Sequence, residues 1–258
     1  NSHYLSNYFS GIVAYENKNN LEALEFFKSS KFLINKHDPY LKRYIYSLVE
    51  ESKVKNAIRE IKRNLANNNS KFFEAYLLMS LNNLKKKDFK KSKDYLEKSY
   101  KFINNDRFAS IIYQTIKEYI YLFQEDKILE KKKNFGNLSF INEVFQKCYL
   151  EDKDTEDYFR SLISNVNDIE YSRYIFFLIN HLIENNEFDK VQEITDELDY
   201  LNSSILISQG KKWIEQKKVE EFNKIFSCKN HNDIVSEFFF LIANLYSSQD
   251  DYKKSNFY

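Results

Sequence analysis

Scarcity of glycine and proline is the feature of this sequence that most restricts its fold. Among 258 residues there are three glycines (Gly11, Gly136 and Gly210) and one proline, Pro39. Tight turns between strands need these residues, because positive φ angles and sharp reversals are costly for other side chains. We therefore do not expect a β-sandwich, a doubly wound α/β domain or a (β/α)8 barrel. No two glycines lie close enough for a phosphate-binding loop, and the sequence predicts an all-α protein.

Composition narrows the class of protein further. The chain carries 39 basic and 38 acidic side chains, and its apolar fraction of 43% is sufficient for a folded core. No uncharged apolar run reaches the roughly 18 residues that a membrane span requires. The chain starts at Asn1 without a signal-peptide pattern. We therefore leave the compartment open between the cytoplasm and, if an N-terminal signal has been removed, the periplasm.

Small or apolar residues recur along the chain at a nearly constant spacing. Ala23, Ala57 and Ser92 lie in similar segments that are 34 and 35 residues apart. Later members of the series are 31 and 33 residues apart, and they are Val191, Phe222 and Ser255. A period of about 33 residues accounts for the whole chain as eight units, which is the sign of a repeat architecture.

Each unit has the pattern of two short amphipathic helices. In the third unit apolar residues at helical spacing occupy 72–84, a polar break follows at 85–88, and a second helix is predicted over 89–103. Asp88, Asp154 and Asn186 stand where second helices begin, so we expect them to be N-caps. Residues 104–168 depart from the pattern: a long helix over 107–124 lacks the small residue that should follow it. We expect the second helix there to be short or displaced.

The period and these positions resemble the tetratricopeptide repeat (TPR) family. The best matches are Gly11 with Ala23 and Phe27, Ala243 with Tyr246, Tyr252 and Ser255, and Phe188. Gly210 with Trp213 fits the same first-helix positions. The resemblance implies a right-handed α-solenoid of about eight helix-turn-helix hairpins, with repeats at 1–103, degenerate repeats at 104–168 and further repeats at 169–258. The last hairpin is truncated at Tyr258, so we expect the chain to be a fragment of a longer protein.

Candidate catalytic and metal-binding residues are sparse. There is no H-E-x-x-H motif, and Cys228 with His231 offers two ligands where structural zinc needs four. His181 lies in an apolar helix, where we expect a hydrogen-bonded, partly buried side chain. We expect Cys148 and Cys228 to be unpaired thiols, with one long-range disulfide as the alternative. We therefore expect no enzyme activity, no cofactor and no metal.

Charge is distributed unevenly along the chain. Residues 51–100 carry 13 basic and 6 acidic groups, whereas residues 151–200 carry 4 basic and 14 acidic groups. The lysines of 85–93 could contact nucleic acid or an acidic partner. A net charge of +1 and an acidic centre argue against an extended nucleic-acid track, so nucleic-acid binding by the basic 51–100 surface is the alternative function.

The resemblance also implies where a partner would bind. In TPR arrays the first helix of each hairpin lines the concave side of the superhelix, and a partner segment docks there. Carried over to this sequence, the lining positions are Tyr8, Ile12 and Tyr15 in the first unit, Lys42 and Tyr46 in the second, Leu77 and Leu81 in the third, and Arg173, Phe176 and Asn180 in the sixth. The predicted function is a non-catalytic protein–protein interaction scaffold that binds a protein or peptide segment. An accessory domain of a larger enzyme or assembly complex is a further alternative.

Overall fold

The structure is a computed structural model, and it describes residues 2–66, 71–103, 106–164, 172–198 and 204–258. These residues form fifteen α-helices, three short 3-10 helices and no strand. The prediction of an all-α protein is therefore confirmed for the described part of the chain. No helix in this part combines the length and the apolar character that crossing a bilayer would require.

The α-helices follow one another with short connections. Their bounds are α1 Ser2–Glu16, α2 Asn20–Ser29, α3 Asp38–Glu50, α4 Val54–Asn64, α5 Phe73–Leu84, α6 Phe89–Ser99, α7 Arg107–Glu125, α8 Asn137–Tyr149, α9 Thr155–Ser164, α10 Ser172–Glu184, α11 Phe188–Glu197, α12 Ile205–Glu215, α13 Phe222–Ile225, α14 His231–Ser247 and α15 Tyr252–Phe257. The 3-10 helices are Lys31–Asn35, Tyr100–Phe102 and Val219–Glu221.

The helices belong to two compact units. Unit 1 comprises residues 1–120 together with 239–258, and unit 2 comprises residues 121–238. The last helix, α15, thus belongs to the same unit as the first three hairpins. The division of the sequence into repeats at 1–103, 104–168 and 169–258 describes sequence similarity rather than contacts, and it stays a prediction.

One turn motif recurs between the two helices of a hairpin. A non-glycine residue takes a positive φ, and the backbone N–H of the next residue donates to the carbonyl oxygen five positions earlier, which satisfies the end of the first helix. Within the described residues this happens seven times, at spacings of 34, 35, 64, 35, 31 and 33 residues. The positive-φ residues are Lys18, Ser52, Lys87, Glu151, Asn186, Lys217 and Asp250. Because these residues accept the left-handed conformation, the turns need no glycine.

The doubled spacing of 64 marks the irregular part of the repeat series. Helix α7 ends at Glu125, and residues 126–136 form no helix before α8 begins. Asp126 has a positive φ, but its N–H bonds to Leu122 O, four residues earlier. The second helix expected after 107–124, short or displaced, is absent from 126–136, and the next helix is α8.

Small residues allow the helices to approach each other closely. The predicted anchors Ala23, Ala57 and Ser92 are all fully buried. A Cβ on Gly11 would lie 2.8 Å from a ring carbon of the buried Phe27. A Cβ on Gly210 would lie 3.1 Å from ring carbons on two packed phenylalanines, Phe176 and Phe222. The first-helix glycines thus serve packing rather than turns.

Of the three predicted caps, Asp88 is confirmed, Asn186 is wrong, and Asp154 directly precedes α9, as predicted. Asp88 caps α6, and its Oδ1 accepts a hydrogen bond from the backbone N–H of Lys91 at 3.2 Å. Asn186 does not cap α11, because it is itself the positive-φ residue that ends the preceding helix. Glu187 takes the N-cap position instead, without a side-chain hydrogen bond.

The two cysteines correct the sequence-based expectation. Cys148 and Cys228 form a disulfide within unit 2, with their Cα atoms 5.6 Å apart. The expectation of unpaired thiols is wrong, and the alternative holds. Phe226 explains the approach, because its ring stacks on Phe177 at 4.0 Å and lies 5.4 Å from Phe145. This aromatic contact brings the segment before α14 against α8.

Candidate functional site

A cavity of about 360 Å³ lies in unit 1 between α1, α3 and α15. Four of the ten predicted partner-binding residues line it, namely Ile12 and Tyr15 on α1 and Lys42 and Tyr46 on α3. Each pair is spaced three or four residues apart, so that both side chains project from one helix face. The remaining lining residues are Glu16, Phe27, Pro39, Arg43, Asp251, Lys253 and Lys254.

Two tyrosines of the cavity bind carboxylates on the following hairpin. The Tyr15 hydroxyl donates to the Glu50 carboxylate, which links α1 to α3. The Tyr46 hydroxyl donates to Glu74 Oε1 at 2.7 Å, which links α3 to α5. Burial raises the pKa of both phenols, and the neighbouring carboxylates raise it further. Both phenols therefore stay protonated at neutral pH and act as hydrogen-bond donors.

The carboxylate partners of these tyrosines differ in burial. Glu74 is only 4% exposed and also binds the Lys42 ammonium, 3.2 Å from its Oε2. Glu50 is half-buried. Burial raises its pKa, against the opposing effect of the hydrogen bond from Tyr15. These contacts fix the rotamers of the cavity tyrosines and so preorganise the lining.

Charged side chains of both signs surround the cavity entrance. Lys253 Nζ lies 2.5 Å from Glu16 Oε1. Lys254 pairs with Asp106, and these two side chains are each about one quarter exposed. Burial opposes ionisation of Asp106, but hydrogen bonds from Lys254 and from the backbone N–H groups of Ala109 and Phe108 together lower its pKa. Ion pairs that solvent reaches in this way contribute little to stability.

The other predicted residues of unit 1 lie outside the cavity lining. Tyr8 is 1% exposed, and its ring packs on Phe27 and Tyr40 beneath α1. Leu77 is buried within α5 and Leu81 is half-buried. These three residues pack in or beside the core of unit 1 and do not line the cavity.

The predicted residues of unit 2 are occupied by contacts within the chain. Phe176 is fully buried and stacks on Phe222. Asn180 is 1% exposed and donates to the Phe226 carbonyl oxygen at 2.5 Å. Arg173 pairs with Glu237 at 2.7 Å. Because α12 and α13 cover this part of α10, Phe176 and Asn180 have no surface to offer a partner in this structure.

Sequence reasoning missed the lining residues contributed by α15. Arg43 is adjacent to Lys42 and could have been found from the helix pattern. The helix pattern could not reveal Asp251, Lys253 and Lys254, because they lie far along the chain from the first hairpins. Lys253, for example, is 237 positions from its partner Glu16. No local signal in a sequence indicates that its last helix returns to its first hairpins.

A separate basic surface lies on the second helices of unit 1. The side chains of Lys55, Arg59 and Lys62 on α4 are exposed. The one carboxylate of α4, Glu60, is buried and accepts from Lys31 at 2.7 Å. Exposed lysines also occupy 85–87, together with Lys90, Lys91 and Lys93. Of these, Lys91 pairs with Asp88 at 2.8 Å.

Two histidine-containing features of the sequence find structural roles. Cys228 is bonded to Cys148, so its sulfur is not a thiolate ligand beside His231. Within the described ranges, no three His, Cys, Asp or Glu side chains converge as metal ligands would. His181 is half-buried, with Nδ1 3.6 Å from Cys148 Sγ, and burial lowers its pKa.

No protein family model, no curated protein and no solved structure matches this chain. Its function must therefore be argued from its own residues and geometry.

Proposed function

We propose that this chain is a non-catalytic protein–protein interaction scaffold, a right-handed TPR-type α-solenoid that binds a partner segment in the cavity between α1 and α3. One observation carries the proposal: four first-helix positions expected to face a partner meet in one cavity. The regular spacing of the seven hairpin turns supports the repeat architecture.

The lining suits the binding of a peptide side chain better than it suits catalysis. Tyr15, Tyr46 and Ile12 supply aromatic and aliphatic area that is held in place by the tyrosine–carboxylate hydrogen bonds. Tyrosine gives contact area and a hydrogen bond at low entropic cost, as in binding hot spots. A volume of about 360 Å³ is at the lower end of ligand pockets, which suits a few side chains of a docked segment. The charges at the entrance favour one orientation of that segment.

Selection of peptides against the intact chain tests this function. A random peptide library would be selected on the wild-type chain, and the enriched peptides would be measured by fluorescence anisotropy. We expect Tyr15→Ala to weaken their binding by roughly tenfold or more, which is about 1.4 kcal/mol. The matched control is Tyr100→Ala in the same unit, because Tyr100 is 62% exposed and outside the cavity.

The proposal fails if no peptide is enriched. It also fails if Tyr15→Ala and Tyr100→Ala have the same effect. Circular dichroism of both variants would establish that the comparison is made between folded proteins.

The basic second-helix surface supports a different candidate function, binding to a nucleic acid. The exposed charges of α4 are all positive, because its single carboxylate is buried. Phosphate-driven binding weakens steeply as salt increases. Neutralising Lys86, Lys90 and Lys93 should abolish salt-dependent binding to RNA or DNA if this surface is used. This candidate function would be excluded if the neutralised variant bound RNA or DNA as well as the wild type, or if the wild-type chain bound neither at low salt.

A further inference from the structure

Two second helices carry opposite charges at the same helical spacing. On α4 the exposed cations occupy positions i, i+4, i+7 and i+8, and they are Lys55, Arg59, Lys62 and Arg63. On α11 exposed carboxylates occupy the same positions, and they are Asp189, Glu193, Asp196 and Glu197. Side chains at this spacing project from one face of a helix. We call these sets the α4 face, which belongs to unit 1, and the α11 face, which belongs to unit 2.

On each helix the one side chain of opposite sign is engaged elsewhere. The carboxylate of α4 is Glu60, which is 7% exposed and binds Lys31 at 2.7 Å. The cation of α11 is Lys190, whose ammonium binds Glu187 and, at 2.6 Å, Glu156. Each face therefore presents charge of one sign to solvent.

Most charges of the two faces lack an ionic partner. Among the described residues, only one cation of the α4 face has a carboxylate within ion-pair distance: Arg63 lies 3.2 Å from Glu60. In the same part of the chain, no carboxylate of the α11 face has a cation within that distance, and Asp196 accepts a hydrogen bond from Gln192 at 2.7 Å. Both faces are therefore open to a charged partner.

The matched spacing favours a second copy of the chain over other charged partners. A nucleic acid complements the α4 face but repels the α11 face, whereas a second copy complements both. A net charge of +1 also leaves little repulsion between copies.

We propose that the α4 face of one copy binds the α11 face of another. This inference goes beyond the proposed function and does not depend on the cavity. The contact is heterologous, so each bound copy keeps one free face and association continues into open chains or closes into a ring. Exposed ion pairs are individually weak and are screened by salt, so the contact forms at low salt and high protein concentration.

Two neutralised variants of the full chain test the pairing by complementation. The α4 variant is Lys55→Gln with Arg59→Gln, and the α11 variant is Glu193→Gln with Glu197→Gln. The four positions are exposed and glutamine is a good helix former, so both variants should keep the helix content of the wild type in circular dichroism. The control is Lys98→Gln with Lys101→Gln, because it makes the same change of net charge at exposed positions elsewhere in unit 1.

Sedimentation equilibrium would be recorded at about 20 mM and about 500 mM sodium chloride. At low salt we expect the mass of the wild type to rise above that of the monomer as its concentration increases, and at high salt we expect a monomer. Each variant alone should associate roughly tenfold or more weakly than the wild type and the control. An equimolar mixture of the two variants should recover the wild-type affinity but stop at a pair with one copy of each. The reason is that one variant keeps an intact α11 face and the other keeps an intact α4 face.

Three results would overturn the inference. The first is a wild-type chain that stays monomeric at low salt; if it bound RNA and only the α4 variant lost that binding, the α4 face would belong to nucleic acid instead. The second is a mixture that stays monomeric where the wild type associates. The third is a control that associates as weakly as the two variants do.

Discussion

The disulfide of unit 2 gives the sharpest prediction about stability. Cys148 and Cys228 close a loop with a sequence separation of 80 residues, and both ends lie in the same unit. The chain-entropy relation for a loop of this length gives about 4.5 kcal/mol at 25 °C, near the upper end of measured values. We expect Cys148→Ser with Cys228→Ser to lower the free energy of unfolding of unit 2 by about 2–5 kcal/mol.

The chain contains its own reporter for this measurement. Its single tryptophan, Trp213, lies on α12 inside the disulfide loop, and its ring contacts Phe176 and Phe222. Guanidinium unfolding followed by tryptophan fluorescence therefore reports unit 2, and linear extrapolation gives its free energy of unfolding. The wild-type chain in reducing buffer should match the serine variant.

Two results would refute this reasoning. One is a loss of stability below about 1 kcal/mol in the serine variant. The other is alkylation of both cysteines in the native, unreduced chain, detected by mass spectrometry. Because disulfides persist in oxidising compartments, intact bonding in the natural protein would also favour an extracytoplasmic location.

Three further substitutions test separate parts of the structure. Gly11→Ala should destabilise unit 1 by roughly 1–3 kcal/mol in thermal unfolding, because the new Cβ meets the fully buried Phe27 ring; an unchanged melting temperature would contradict this. Burial raises the pKa of Glu237 from 4.5 to about 7 despite the neighbouring arginine. The protonated Glu237 carboxyl therefore contributes about 3 kcal/mol to the free energy of unfolding. This stability is fully present below pH 4.5 and is lost as the pH rises through about 7. Glu237→Gln should remove that loss, which urea midpoints at pH 5 and pH 8 measure; equal pH dependence in both proteins would count against it. Tyr46→Phe removes a hydrogen-bond donor from the buried Glu74 carboxylate. It should lower the free energy of unfolding by about 1–3 kcal/mol, measured by urea unfolding followed by circular dichroism. A smaller loss would show that this hydrogen bond does not stabilise the fold.

Short-range patterns account for what the sequence predicts well. The polar break at 85–88 places the end of α5 and the start of α6 within one residue of their observed positions, because the apolar period and the Asp88 cap are both local signals. The small anchors Ala23 and Ser92 are buried as expected, since each must fit between neighbouring helices. The same local rules failed for Asn186, because asparagine serves both an N-cap and a left-handed turn.

Long-range contacts account for what the sequence does not predict. The disulfide depends on Phe226 packing against two other helices, and spacing alone does not reveal that contact. Phe176 has the same helical position as the cavity residues of the first hairpins, yet Gly210 and Phe222 cover it. The α15 wall of the cavity depends on Lys253 and Phe257 meeting residues more than 200 positions away.

Site-specific photo-crosslinking tests the central claim most directly, which is that a partner segment binds between α1 and α3. Benzoylphenylalanine would replace Arg43, an exposed residue of the cavity lining, in one chain and Tyr100 in another, and each would be irradiated with the tightest peptide from the library selection. The account predicts a crosslink from position 43 that unlabelled peptide competes away, and none from position 100. Bound peptide that crosslinks from position 100, or equally from both positions, would contradict it.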